Sequence, residues 1–186
     1  MALSSKTYGK TAWSKVRFEL DALDAKGIVT AGNACSSVLL AKGTPGPAER
    51  AGASDTLLQG PDGTALRSAL GALGYAPEDW AALACWDAHG ESLSPELFRL
   101  AVTTIDPATI VACDDAAADM LRNAYAEELA ALLSLDEALF AEGHVTRVAG
   151  MRALNLGGFE QALSSPQKKQ VMWARLKLIP PLGEPY

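Results

Sequence analysis

The sequence predicts an α/β protein: a central, mostly parallel sheet of about four strands with helices on both faces, a three-layer α/β/α arrangement. Three observations carry this expectation. Short apolar runs of strand length alternate along the chain with longer stretches of helical period. Proline, glycine and Ser/Asp residues stand where caps and turns are needed between them. The chain of 186 residues, 49% hydrophobic and 20% charged, is sized for one domain over residues 1–186 with a sizeable core.

Residues 11–25, "TAWSKVRFELDALDA", place Trp13, Val16, Phe18, Leu20 and Leu23 at mostly helical spacing. "SVLLA" at 37–41 reads as a short buried strand, and Pro45, Gly46 and Pro47 forbid its continuation. "GPDG" at 60–63 starts a helix with Leu66, Leu70 and Leu73 on one face and Gly74 as its stop. "WAALACW" is the next strand. Ser94 as N-cap, Pro95 at the first helical position and Glu96 in the first turn open a helix that ends before Pro107. "TIVAC" is a β-branched strand, followed at once by Asp114, Asp115 and a helix over about 115–132 with Met120, Leu121, Tyr125 and Leu129 as its apolar set. "HVTRVAGMRALNL" gives two short strands around Ala149–Gly150. Ser165 and Pro166 begin the last helix, Pro180 and Pro181 end it, and Met172 and Trp173 are expected in the core.

In such a sheet the functional site lies beyond the carboxyl ends of the strands. Four segments should therefore converge on one rim: Lys42–Gly46, Trp86 to His89, Asp114–Asp115 and Asn155–Gly158. Neither a Walker GxxxxGK[ST] loop nor a dinucleotide GxGxxG is present. Cys35, Cys85 and Cys113 are widely spaced, and the two histidines are His89 and His144, so neither a metal nor a cofactor is expected. No apolar stretch is long enough to span a membrane, and the N-terminal residues lack a signal-peptide apolar region, which predicts a cytoplasmic protein with no membrane partner.

The net charge of −6 is unevenly spread: +3 over residues 1–42, −13 over 43–142 and +4 over 143–186. A nucleic-acid surface would have to draw Lys6, Lys10, Lys15 and Arg17 together with Lys168, Lys169, Arg175 and Lys177; otherwise both sets are solvated helix faces.

"LLAKGTPGPAE", "LLQGPDGTALRSALGALGY", "WAALACW" and "LAVTTIDPATIVACDDAAADML", in that order, resemble the uracil-DNA glycosylase superfamily, above all its bacterial and archaeal branches with a G-E-A-P-G-x-x-E loop. The likeness covers about residues 37–125 and, more loosely, the last strand and helix. Pro45, Gly46 and Glu49 match the Pro-Gly and later Glu of that loop, and Gly60 and Gly63 match the glycines before the next helix. The family's acidic loop residue falls on Gly43, and Asp114 takes the place of a family glycine. The base-stacking ring falls near Leu57 or Leu58, the base-reading asparagine near Cys85 or Trp86, and the final loop "LNLGGFE" has no histidine.

The resemblance implies the fold and a nucleobase-sized pocket, in a divergent protein that binds a nucleobase or DNA at the rim. Gly43, Pro45, Gly46, Glu49, Gly60, Trp86, Asp114 and Asn155 are the candidate ligand-binding residues. Excision would need new residues for the lost roles, and Asp87 with His89, in "CWDAHGES", are the catalytic candidates as base or water activator. Cys85 is either a nucleophile beside His89 or a buried inert thiol; Glu49 and Asp114 hold a ligand or cap a helix; Trp86 stacks on a base or fills the core. An active hydrolase and a protein-interaction module with a vestigial pocket, which the acidic middle favours, are the alternatives.

Overall fold

The computed structural model describes residues 17–47, 49 and 56–183. Along the chain these form α1 (17–24), β1 (Ile28–Gly32), β2 (Val38–Lys42), α2 (Pro61–Leu73), β3 (Ala81–Asp87), α3 (Pro95–Ile105), β4 (Thr109–Ala112) and α4 (Asp115–Ala124). Then follow α5 (Ala126–Ala130), α6 (Leu135–Ala138), β5 (Val145–Val148), β6 (Met151–Asn155), α7 (Phe159–Ala162) and α8 (Pro166–Leu176). Of the first expected helix only residues from 17 onward are described, so Trp13, Val16, Lys6, Lys10 and Lys15 lie outside the described residues.

The sheet has six strands, in the order β1-β3-β2-β4-β6-β5, which corrects the expected four. β3, β2, β4 and β6 are mutually parallel; β1 and β5 join the two edges antiparallel. β1 is the strand the sequence hides. Its "IVTAG" is short, ends in glycine, and buries only its first two residues, so it gives little alternation to read.

Alternate residues of the parallel strands enter two cores. Leu39, Leu83, Ile110 and Ala153 pack with Phe98 and Val102 of α3 and Leu121 of α4. Leu40, Ala82, Val111 and Leu154 pack with Leu66 and Leu70 of α2 and Met172 and Leu176 of α8. All five residues of β2 are buried, as a strand covered on both faces requires.

The caps follow the sequence. Ser94 accepts from the Leu97 N–H at 3.2 Å, and Asp114 accepts from the Ala117 N–H at 2.8 Å. Gly74 ends α2 at a φ of 101°. The single helix expected over 115–132 is instead broken at Tyr125, whose φ of −125° is not helical. Arg99 of α3 sits at the break: its guanidinium takes the Ala124 carbonyl at 3.0 Å and lies 4.8 Å from the centre of the Tyr125 ring. A tertiary contact of this kind leaves no mark in local periodicity. Trp173, expected in the core, keeps 36% of its surface in solvent, while Met172 beside it is buried.

The β5–β6 hairpin closes in two residues, Ala149 and Gly150, with φ of 49° and 87°. Positive φ at both positions is the geometry for which Asn-Gly is the favoured pair, and alanine in the left-handed region is strained. Ala149→Asn is expected to stabilise the fold by ~0.5–1 kcal/mol, read as a higher urea midpoint at unchanged m-value.

Candidate functional site

Strand register decides which residues meet at the carboxyl rim. Ala41 stands opposite Ala112, and Ala112 opposite Asn155, so β2, β4 and β6 end in step. The chain leaves β2 for β3 on one side and later returns to β4 on the other. That divergence opens a crevice at the ends of β2 and β4. Lys42, Gly43 and Thr44 form one lip of it, and Cys113 and Asp114 the other.

Asp114 stitches the lips together. One carboxylate oxygen accepts from Gly43 N–H at 3.1 Å and Ala117 N–H at 2.8 Å; the other accepts from Gly43 N–H at 3.1 Å and Thr44 N–H at 2.9 Å. The first turn of α4 is thereby drawn onto the loop so closely that a Cβ on Gly43 would stand 2.1 Å from the Ala117 nitrogen. No side chain fits at position 43.

Beneath the loop lies a buried ionic cluster. Lys42 Nζ is 2.6 Å from Asp62 Oδ2 and 2.7 Å from Glu49 Oε2, with Glu160 further out at 3.8 Å. Lys42, Glu49 and Asp62 are each at least 95% buried. Burial opposes the ammonium charge, but the hydrogen bonds and charges of Asp62 and Glu49 outweigh it and hold the Lys42 pKa above its ordinary value. Glu49 also accepts from Gly46 N–H at 2.6 Å and Leu58 N–H at 2.8 Å, so one carboxylate pins both ends of the loop to β2. This explains Gly46 and Glu49 of the loop. Gly46 lets the backbone approach the carboxylate, with Glu49 Oε2 3.1 Å from where its Cβ would be.

A cleft of about 510 Å³ opens at the lips, with Thr44 and Asp114 in its lining. Thr44, Asp114 and Asp115 form one wall; Gln161, Lys168 and Arg175 form the facing one. Arg175 is anchored by Glu142 at 2.9 Å and by the Leu156 carbonyl. Gly158 also lines the cleft, so three of the four expected segments do converge.

The fourth does not join them. Trp86 is buried among the core residues on the α2 and α8 side of the sheet. Asp87 ends β3 one strand away from β2 and lines neither the cleft nor the small cavity bounded by Lys42, Asp62 and Asp114. Its Oδ1 accepts from the His89 N–H at 2.8 Å and the Glu91 N–H at 2.9 Å, which holds a tight exposed turn. The Glu91 and His89 backbone hydrogen bonds keep its carboxyl below the usual range. Cys85 is buried, and desolvation followed by the Asp114 charge pushes its thiol well above the ordinary pKa, away from the thiolate a nucleophile needs. Asn155 is buried and fixes the last loop, donating to the Phe140 carbonyl at 3.0 Å and accepting from Gly157 N–H at 2.9 Å. Gly60 sits at the N-cap of α2, where it precedes the Lys42 partner Asp62.

Sequence reasoning missed Asp62 and Gln161. Asp62 was hidden in a turn signal, and Gln161 has no local signature. No group of three or more His, Cys, Asp or Glu suited to a metal ion occurs among the described residues. No helix among them is long and apolar enough to cross a membrane. No protein-family model matches the chain, and no match was found among curated proteins.

Lys42→Met should cost ~3–5 kcal/mol, because two buried carboxylates lose their counter-charge; Phe98→Ala, a core cavity remote from the rim, gives a comparison of ~3–5 kcal/mol. The Lys42 contribution is fully present below pH 10.5, the unfolded value, and is lost as pH rises through the higher folded pKa. Chemical denaturation from pH 9 to 12 should therefore show a loss of stability above about pH 10.5 that is smaller in Lys42→Met, where only the loss from groups such as Tyr75 and Tyr125, whose phenols burial also holds above their ordinary pKa, remains.

Proposed function

We propose that this chain is a three-layer α/β/α protein of uracil-DNA glycosylase-like fold that binds a nucleobase, or the nucleic acid carrying it, in the rim cleft without excising the base. The cleft carries this reading: about 510 Å³ at the topological switch point, with a lysine and an arginine on one wall and a hydroxyl and carboxylates on the other. Gln161 and Thr44 offer the donors and acceptors that a base edge needs, and Lys168 suits a phosphate. The two separate cores, one on each face of the sheet, support the three-layer description.

The exchange of residues seen in the sequence acquires a physical logic. Gly43 stands where the resembled family carries an acid, and Asp114 stands where that family has glycine. Across the crevice the Asp114 carboxylate lies against the Gly43 N–H. Binding without excision is favoured because a carboxylate has about four lone-pair positions. Three backbone N–H groups already bind the Asp114 oxygens, the Gly43 N–H reaching both, so the carboxylate is engaged in holding the lips together rather than in activating water. Asp87 is spent on its turn and lies outside the cleft.

One observation favours the protein-interaction alternative. Leu133, Leu135 and Leu139 are 104%, 71% and 56% exposed in a stretch that also carries Asp136 and Glu137. It predicts no oligonucleotide binding even at low salt.

Labelled oligonucleotides with and without uracil, titrated at low and moderate salt and then treated with alkali, separate the readings. The expected result is salt-sensitive binding with intact strands. Lys168→Ala should lower the slope of log affinity against log salt by about 0.7 for a single strand. Gln161→Ala should weaken binding without changing that slope. Alkali-dependent cleavage that disappears in Asp114→Asn, or in Asp87→Ala with His89→Ala, would overturn the binding-only reading; absent binding would sink the nucleic-acid reading.

A further inference from the structure

Helix α8 has a second surface on the side turned from the core. Met172 and Leu176 are buried. Lys169, Trp173 and Lys177 are spaced four residues apart, so they line up along one exposed stripe. Helical hydrogen bonds run through the whole stripe: Lys169 N–H to the Ser165 carbonyl at 2.9 Å and Lys177 N–H to the Trp173 carbonyl at 3.1 Å. Residues 166–177 hold four cations and no acid, in a chain whose net charge is −6. Of these cations, Arg175 is tied to Glu142, and Lys168 faces the cleft. Lys169 and Lys177 flank the indole.

The geometry points to this stripe as a platform for single-stranded nucleic acid: Trp173 stacks an unpaired base, Lys169 and Lys177 take the phosphates on either side, and Lys168 leads the strand to the cleft. The inference rests on the nucleic-acid reading of the cleft and adds to it the strand state and a stacking residue outside the cleft. The two lysines are two helical turns apart, about 12 Å along the axis. Bases within a duplex are already stacked on one another and cannot cover the ring, whereas an unpaired base can. Lysines alone would suit an acidic peptide equally well; the half-exposed ring between them favours a nucleobase.

Fluorescence anisotropy on the intact chain tests this with a mixed-sequence single strand lacking uracil, its duplex, and polyglutamate as competitor. The single strand should bind more tightly than the duplex. Trp173→Ala should weaken single-strand binding roughly 10- to 100-fold, and Trp173→Phe should restore most of it. Lys169→Gln combined with Lys177→Gln, both on the exposed face, should lower the salt slope by about 1.4 with no change in melting temperature. If Trp173→Ala melts early, the lysine pair and Trp173→Phe decide. No single-strand binding by the unaltered chain at low salt overturns both this inference and the cleft reading. Binding that falls in Gln161→Ala and Lys168→Ala but not in the stripe variants keeps the cleft and removes the platform. The converse overturns the cleft reading and the path through Lys168, and leaves only the stacking of a base on Trp173 between the two lysines. Displacement of the strand by polyglutamate at equal charge concentration would overturn the platform in favour of an acidic protein partner.

Discussion

Burying the ammonium of Lys42 imposes the arrangement of the rim. A lysine at the end of a strand covered on both faces cannot reach water, and an unpaired charge there would cost far more than the fold can spare. Two carboxylates must come to it. Asp62 arrives on the first turn of α2, which fixes where that helix begins. Glu49 arrives on the loop and brings Gly46 and Leu58 with it through their backbone N–H groups. The anchoring of Gly46 and Leu58 and the start of α2 thus follow from one buried charge.

A second constraint acts above the first. With the loop pinned from below, Asp114 draws the start of α4 onto it from the side, and the backbone at Gly43 closes to within side-chain exclusion distance of Ala117. The two constraints reinforce each other: the loop cannot shift to admit a side chain at 43 without breaking the Glu49 clasp. The resulting lip is rigid and polar, and its carboxylate is already committed. Such a lip suits holding a ligand in one orientation better than carrying protons.

The sequence made legible whatever depends on short-range pattern. Caps at Ser94, Asp114 and Ser165 are local events, and each side chain accepts from the N–H three residues on. The parallel strands were visible because burial on both faces makes them continuous apolar runs. What escaped depends on distant partners. β1 is a strand only because β3 pairs with it, and the carbonyl at the Tyr125 break is met by Arg99 from α3. The site was legible in part for the same reason. Register places Lys42, Asp114 and Asn155 at one rim, but it cannot say that Asn155 would be spent on a buried loop, or that Asp87 would bend back into its own turn. Of its two alternatives Trp86 takes the core, because its strand position faces a helix, whereas Trp173, expected in the core, falls on the outer side of α8.

The acidic middle of the chain reads differently once its carboxylates are placed. Glu49 and Asp62 neutralise Lys42, Asp79 receives the Ser37 N–H and hydroxyl, Asp87 and Asp114 receive backbone N–H groups, and Glu128 and Glu142 pair with arginines. Much of the acid is there to satisfy donors of the fold. Bonds to uncharged N–H groups leave the unit charge in place, so a polyanion is still repelled by most of this surface. The cations of α8 are therefore the natural approach for a phosphate chain. Their attraction works against a negative background and over a short range, since about 8–10 Å of screening at ordinary salt isolates them from distant acids. A site of that kind gains little from charge alone and must draw its affinity from contact with the base, which makes the indole between two lysines and the amide in the cleft matter more than the number of positive charges.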